Sequence, residues 1–205
     1  MISPDDPEAD LVADAATVLA RGGLVAYPTD TLYGLGADPR NADAVARVYV
    51  AKGRGTGAAL PLIAADLGQV ESGAGACTAA TRRLASRFWP GPLALVVDAS
   101  PRLAAAVHGG SGTVAVRVPG HAVARALARA LGSPVTATSA NRSGHPAPAD
   151  AAGVLAALGE DVDLVLDAGA TRGGQPSTIV DARGERPRLV REGAIPFAHV
   201  LEALS

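Results

Sequence analysis

The stretch that most constrains the fold is Thr113-Val114-Ala115-Val116-Arg117-Val118. Side chains alternate across a β-strand, so Val114, Val116 and Val118 share one face and Thr113, Ala115 and Arg117 the other. The valine face belongs in a core. The other face then carries a hydroxyl and a guanidinium next to that core, and a guanidinium there is expensive to desolvate unless it pairs or faces a ligand. An internal Asp or Glu partner and a bound anion are the two readings of Arg117.

Other segments set this strand among helices. Leu11, Val12, Ala15, Val18 and Leu19 recur at helical spacing over 10–21, and Gly22-Gly23 ends that helix. Asn41 can cap a second helix whose inner face holds Val45, Val48 and Tyr49 and which runs out at Lys52-Gly53-Arg54. Further helices are expected at 78–88, 121–131, 150–158 and from Pro196. Strands are expected at 24–27, 61–64, 93–97, 134–138, 164–166, 178–180 and 188–190, with Pro28 breaking the first and delivering Thr29, Asp30 and Thr31 into a turn. Helices and strands alternate without a strict one-to-one rhythm, and strands follow one another near the end. This predicts an α/β fold, a twisted mixed sheet with flanking helices. A length of 205 residues suits one domain over 1–205, with a core of about 10–194 and an acidic N-terminal tail at 1–9.

Composition removes several classes of function. No apolar run reaches the ~20 residues that cross a bilayer, and the opening MISPDDPEAD lacks the basic and apolar regions of a secretory signal, so a soluble cytoplasmic protein without membrane contact is expected. Cys77 is the sole cysteine, which rules out an internal disulfide, and no second Cys or nearby His pair completes a metal site. Of 20 acidic residues four are Asp5, Asp6, Glu8 and Asp10, leaving 16 against 18 basic ones, a balance unlike that of a strongly cationic nucleic-acid binder. Those basic residues are 17 Arg and a single Lys, Lys52, which suggests a position where a compact ammonium is needed.

The familiar site motifs are absent. There is no GxxxxGK[ST], and Gly34-Leu35-Gly36 continues Ala37-Asp38-Pro39, which is not a dinucleotide fingerprint. Gly53-Arg54-Gly55-Thr56-Gly57 reads either as a flexible surface loop or as a set of N–H groups for a phosphate. His108, His121, His145 and His199 lack zinc spacing, and Ser139 lacks the elbow of a hydrolase nucleophile. What remains are cationic and hydroxyl side chains at strand and helix ends: Thr31, Lys52, Arg54, Thr113, Arg117, Ser139, Asn141, Ser177 and Arg191. The residues by themselves describe an anion-binding α/β protein.

Several pieces in order resemble the YrdC-like threonylcarbamoyl-AMP synthase family. They are Tyr27-Pro28-Thr29-Asp30-Thr31-Leu32-Tyr33-Gly34-Leu35-Gly36, Lys52-Gly53-Arg54, Trp89-Pro90-Gly91-Pro92-Leu93, Thr113 to Pro119, Ser139-Ala140-Asn141, Ser177-Thr178-Ile179-Val180 and Arg191-Glu192-Gly193. The resemblance implies a positively lined cleft in which L-threonine, bicarbonate and ATP form threonylcarbamoyl-AMP and pyrophosphate for N6-threonylcarbamoyladenosine modification of tRNA. By position, Thr31, Arg117 and Ser177 would hold threonine. Arg54, Thr113, Ser139, Asn141 and Arg191 would surround ATP, Lys52 and Arg54 would be the catalytic cations, and Mg²⁺ would arrive with the ATP and take no ligands from protein alone. Hand-over to a tRNA threonylcarbamoyl-transferase complex and a weak direct RNA contact are the implied partners. The chain departs from the family pattern at 55–60, about two residues longer than usual and with Leu60 where a polar residue is common, and at Ala65, where His is common. It also ends soon after the last motif, as the single-domain form would. The alternatives are a divergent YrdC-like module that binds nucleotide or RNA, and a relative acting on another carbamoyl acceptor.

Overall fold

The structure is a computed structural model and describes residues 9–204. The expected acidic tail, apart from Ala9, lies outside the described residues. In chain order the elements are α1 (Ala9–Ala20), β1 (Val25–Pro28), β2 (Tyr33–Gly36), α2 (Ala42–Lys52), β3 (Leu62–Ile63), a helical segment α3 (Leu67–Gln69) that widens through Val70–Ala74, and α4 (Ala79–Phe88). Then come β4 (Leu93–Asp98), a 3₁₀ turn (Ala105–His108), β5 (Thr113–Arg117), α5 (Ala122–Leu131), β6 (Val135–Thr136), β7 (Thr138–Ser139) and α6 (Ala151–Leu158). A 3₁₀ turn (Gly159–Asp161), β8 (Leu164–Val165), β9 (Thr178–Asp181), β10 (Arg188–Arg191) and α7 (Phe197–Glu202) complete the chain.

The mixed sheet with flanking helices is present as two sheets. One has the order β7-β2-β1-β8 and the other β10-β9-β4-β5-β3-β6. Each combines parallel and antiparallel pairs, for example β1 with β8 parallel and β1 with β2 antiparallel, and β3 with β5 parallel and β4 with β5 antiparallel. The expected alternation of 113–118 holds: Val114, Val116 and Val118 are buried in the core, and Thr113, Ala115 and Arg117 face the opposite side. Helices α1 and α5 pack on each other over Val25, Tyr27 and Ile63, and α4 and α7 cover Leu93, Leu95 and Val180.

Three segments differ from the sequence expectation. The strand expected at 134–138 is divided at Ala137, whose N–H donates to the Pro61 carbonyl at 2.8 Å. Its first half joins β3 and its second half joins β2, so the chain passes from one sheet to the other there. The motif Tyr33-Gly34-Leu35-Gly36 is a strand despite its two glycines, since Leu35 is fully buried and a Cβ on Gly36 would lie 2.8 Å from both Tyr27 Cε1 and Val135 Cγ1. That close approach also lets the buried Tyr27 hydroxyl donate to the Thr136 carbonyl at 2.8 Å. Residues 67–74 are helical, started by Asp66, whose carboxylate accepts from Gln69 N–H.

Candidate functional site: a cationic cleft between two sheets

Helix α2 begins on Asn41, whose side chain accepts from the N–H groups of Asp43 and Ala44. It ends because Gly53 adopts φ 61°, a left-handed conformation that glycine reaches without steric cost, and returns its N–H to the carbonyls of Tyr49 and Val50. Lys52 is therefore the last helical residue, and its side chain runs under the strand crossing at 137–141. Its ammonium donates to the Ser139 carbonyl at 2.7 Å, to Ser139 Oγ at 3.3 Å and to Asn141 Oδ1 at 2.9 Å. All three acceptors are neutral. Lys52 is 3% exposed, and burial, followed by the nearby Arg54 charge, lowers its pKa to about 8. Asn141 is held in turn by Nδ2 donation to the carbonyls of Arg142 and His145, which fixes its oxygen toward Lys52 and Ser139.

Arg54 lies over the Tyr49 ring, 5.6 Å from the centroid, and its Nε is buried with no hydrogen-bond partner. The Tyr49 hydroxyl is fixed at the carbonyls of Ala58 and Ala106, both at 2.8 Å, and Leu60 N–H donates to the Val107 carbonyl. The long loop at 55–60 is thus pinned to the 3₁₀ turn that precedes β5. Leu60, which stands where a polar residue is common in the family, belongs to the core and is fully buried, while its neighbours Ala59 and Pro61 line the cleft. Ala65 is likewise buried against α5 and is not among the cleft residues.

At the other end Arg117 closes β5. It is 8% exposed, and Nη1 donates to Asp30 Oδ2 at 2.5 Å. The internal carboxylate partner is therefore present, and the guanidinium also faces the cleft. Arg191 reaches the same region through an irregularity in β10. Leu189 pairs with Val180 and Arg191 with Ile179, so Val190 is a bulge, and both Val190 and Arg191 face the cleft. Arg191 donates from Nε and Nη2 to the Ser177 carbonyl at 3.2 and 2.7 Å, and burial and the charge of Arg117 lower its pKa. Gly193 permits this contact, since a Cβ there would overlap the Pro176 carbonyl oxygen, which accepts from Ala194 N–H.

Thr31, Lys52, Arg54, Thr113, Arg117, Ser139, Asn141, Ser177 and Arg191 all line one cleft of about 730 Å³ between the two sheets. None of the nine lies elsewhere. Its lining holds four cationic side chains and neither a carboxylate nor a histidine. Of the apolar floor, the sequence reading announced Ala115, by its sharing a strand face with Thr113 and Arg117, and missed Ala94, Val96, Ile179 and Val190. It also gave no role to Asp30. Among the described residues no group of three or more His, Cys, Asp or Glu is placed to hold a metal ion. The cleft presents fixed positive charge without a carboxylate or histidine, an arrangement suited to binding an anion.

The family model for Sua5, YciO and YrdC, described as telomere recombination, matches residues 17–193. Threonylcarbamoyl-AMP synthase of Bacillus subtilis is 40% identical over 195 residues, 95% of this chain and 56% of that protein. Its counterpart of the same name from Thiobacillus denitrificans is 44% identical over 163 residues, 80% of this chain and 86% of its own length. Pyrococcus abyssi Sua5, solved in complex with L-threonine, superposes with a TM-score of 0.93 at 36% identity, covering all of this chain and 60% of that one. The chain thus spans a little over half the length of the Bacillus and Pyrococcus proteins.

Proposed function

The chain belongs to the Sua5, YciO and YrdC family, and from that premise we propose that it is an L-threonylcarbamoyladenylate synthase, forming threonylcarbamoyl-AMP and pyrophosphate from L-threonine, bicarbonate and ATP. The observation that carries the reading is the charge of the cleft: Lys52, Arg54, Arg117 and Arg191 face it and no carboxylate does. The names of the relatives point to threonine and to a threonylcarbamoyl-AMP product, and bicarbonate and ATP complete the proposal.

The chemistry suits such a site. The free amine of threonine, its ammonium proton lost to solvent, condenses with bicarbonate with loss of water to an N-carboxylate, which is already an anionic nucleophile. One of its oxygens bonds to the α-phosphorus of ATP, the bond from that phosphorus to the oxygen bridging the β-phosphorus breaks, and pyrophosphate leaves with its electrons. No proton must be removed in that step, so positioning and charge neutralisation carry the acceleration. Lys52 and Arg54 are assigned to the phosphates, with Thr113, Ser139, Asn141 and Arg191 around the nucleotide. Arg117 is assigned to the threonine carboxylate, with Thr31 and Ser177 beside it. Mg²⁺ would be held by the phosphate oxygens and would add positive charge there; the cleft lining offers it hydroxyl, amide and carbonyl oxygens but no carboxylate.

The product is a mixed anhydride made to be passed on, which supports hand-over to a tRNA-modifying complex; a cytoplasmic location belongs to the same proposal. Among the described residues no helix is long and apolar enough to cross a membrane. Pyrophosphate release measured with and without each substrate tests the reading. It should require threonine and bicarbonate together and collapse in Lys52→Ala and Arg117→Ala. Equal release without threonine sinks it, and tight, salt-sensitive tRNA binding without turnover would point to a binding module instead.

A further inference from the structure

The turn at 29–32 turns its residues in two directions. Thr29 and Thr31 line the cleft, whereas Asp30 does not. Its carboxylate lies behind the cleft wall, clamped from two sides. Oδ2 accepts from Arg117 Nη1 and from the Gly120 N–H at 3.1 Å. Oδ1 occupies the space beside Gly120, 2.7 Å from where a Cβ would stand. The Gly120 end of this clamp is itself fixed, because Arg125 Nη1 donates to the carbonyls of Pro119 and Gly120, both at 2.6 Å. The turn belongs to the first sheet and Arg117 to the second, so this carboxylate ties together the two sheets that enclose the cleft.

The pair engages one corner of the guanidinium. Among the described residues Nε and Nη2 of Arg117 make no hydrogen bond. A carboxylate ligand is recognised by two parallel N–H groups, which demands that the plane of the fork be fixed before the ligand arrives. Arg191 lines the same cleft, and repulsion between its charge and that of Arg117 would displace an unanchored fork. An anchor behind the fork resists that displacement. It also partly cancels the charge of Arg117, so its contribution is orientation at the expense of raw attraction.

We propose that Asp30 is the positioning residue of the amino-acid subsite: by holding Nη1 from behind, it sets the fork of Arg117 to receive the carboxylate of the amino-acid substrate. This rests on the synthase reading given above. Asp30 touches no reactant and acts only through Arg117. Its two acceptor functions come from one oxygen, so an amide oxygen at the same place can replace them, whereas truncation cannot.

Steady-state pyrophosphate release from the whole chain tests this, with threonine and ATP varied separately in wild type, Asp30→Asn and Asp30→Ala. Asp30→Ala should raise the KM for threonine by about tenfold or more and change the KM for ATP by less than about twofold. Asp30→Asn should recover most of the threonine affinity. A purely structural role would lower Tm and move both KM values together, so equal shifts for the two substrates, or an unchanged threonine KM in Asp30→Ala, overturn the proposal. If Asp30→Ala does not fold, the Asn variant decides: a threonine KM raised no more than about threefold with normal ATP dependence supports positioning through the hydrogen bonds, and a loss as large as expected of the truncation overturns it. Wild-type protein with no threonine-dependent release overturns the synthase reading and this assignment together, while normal wild-type turnover with an indifferent Asp30→Ala removes only the latter.

Discussion

Lys52 gives the sharpest quantitative test of the site. Its pKa in the free protein is about 8, lowered chiefly by burial and further by Arg54. At pH 8 about half of these ammonium groups have lost their proton, and at pH 7 about a tenth. A triphosphate placed against Lys52 favours the charged form and returns the pKa toward the ordinary lysine range. ATP binding should therefore take up ~0.5 proton per site at pH 8 and ~0.1 at pH 7, and apparent affinity should fall roughly tenfold between pH 7 and pH 9. Titration calorimetry at pH 8 in HEPES and in Tris, whose protonation enthalpies differ, reads the proton count directly. No histidine or cysteine lines the cleft to mimic the effect. Lys52→Arg is the control, because a guanidinium does not deprotonate in this range. Its bulkier guanidinium should weaken ATP binding where the compact ammonium fits, and the binding that remains should proceed without proton uptake. Heats identical in the two buffers at pH 8, or an uptake that survives in Lys52→Arg, would refute the assignment of Lys52 to the phosphates.

Arg117→Ala should lower kcat/KM for threonine by about a hundredfold or more, the scale of a lost charge-assisted pair, while ATP affinity measured by calorimetry changes less than about threefold. Leu60→Ala should cost about 2–4 kcal/mol of stability in denaturant unfolding and leave the KM for both substrates near wild type; a selective change in ATP KM would mean that Leu60 touches the nucleotide after all. Gly193→Ala must displace the Pro176 carbonyl and with it the Ser177 oxygen that holds Arg191. A fall in Tm of several degrees together with weaker ATP binding is expected, and a variant with wild-type melting and binding would show that the segment has room.

Much of this cleft is legible in the sequence, and the parts that are not share a physical cause. Local rules identified Asn41 as a cap, Gly53 as the end of α2 and the valine face of β5, because capping, left-handed backbone and strand alternation are decided within a few residues. The nine polar residues that line the cleft can be picked out from ordered motifs. The partner of Arg117 was not, since Asp30 is 87 residues away and nothing local distinguishes it from a turn residue. The division of 134–138 between two sheets is also a tertiary event: Thr136 and Thr138 prefer extended backbone equally, and the switch depends on Pro61 accepting from Ala137. Leu60 looked like a gap in a polar loop because the docking of that loop on residues 105–108 has no sequence signature.

The four cations of the cleft are held in different ways, and the difference bears on what each end can do. Lys52 is ringed by neutral oxygens, Arg54 lies on an aromatic face and Arg191 rests on a carbonyl. Each of these holds fixes a side chain without cancelling its charge, at the cost of desolvation that only a bound anion offsets, which is why the ammonium of Lys52 is destabilised in the free protein. Arg117 instead has a carboxylate behind it, which gives up field strength for a fixed direction. A triphosphate carries several charges and many equivalent oxygens, so undiminished charge matters more for it than angle. An amino-acid carboxylate carries one charge and two oxygens in a plane, and its carbamate must reach a single phosphorus atom, so angle matters more. On the proposed assignment, this distribution of partners gives the nucleotide the charge-rich end at Lys52 and Arg54, and gives the nucleophile the aligned end at Arg117.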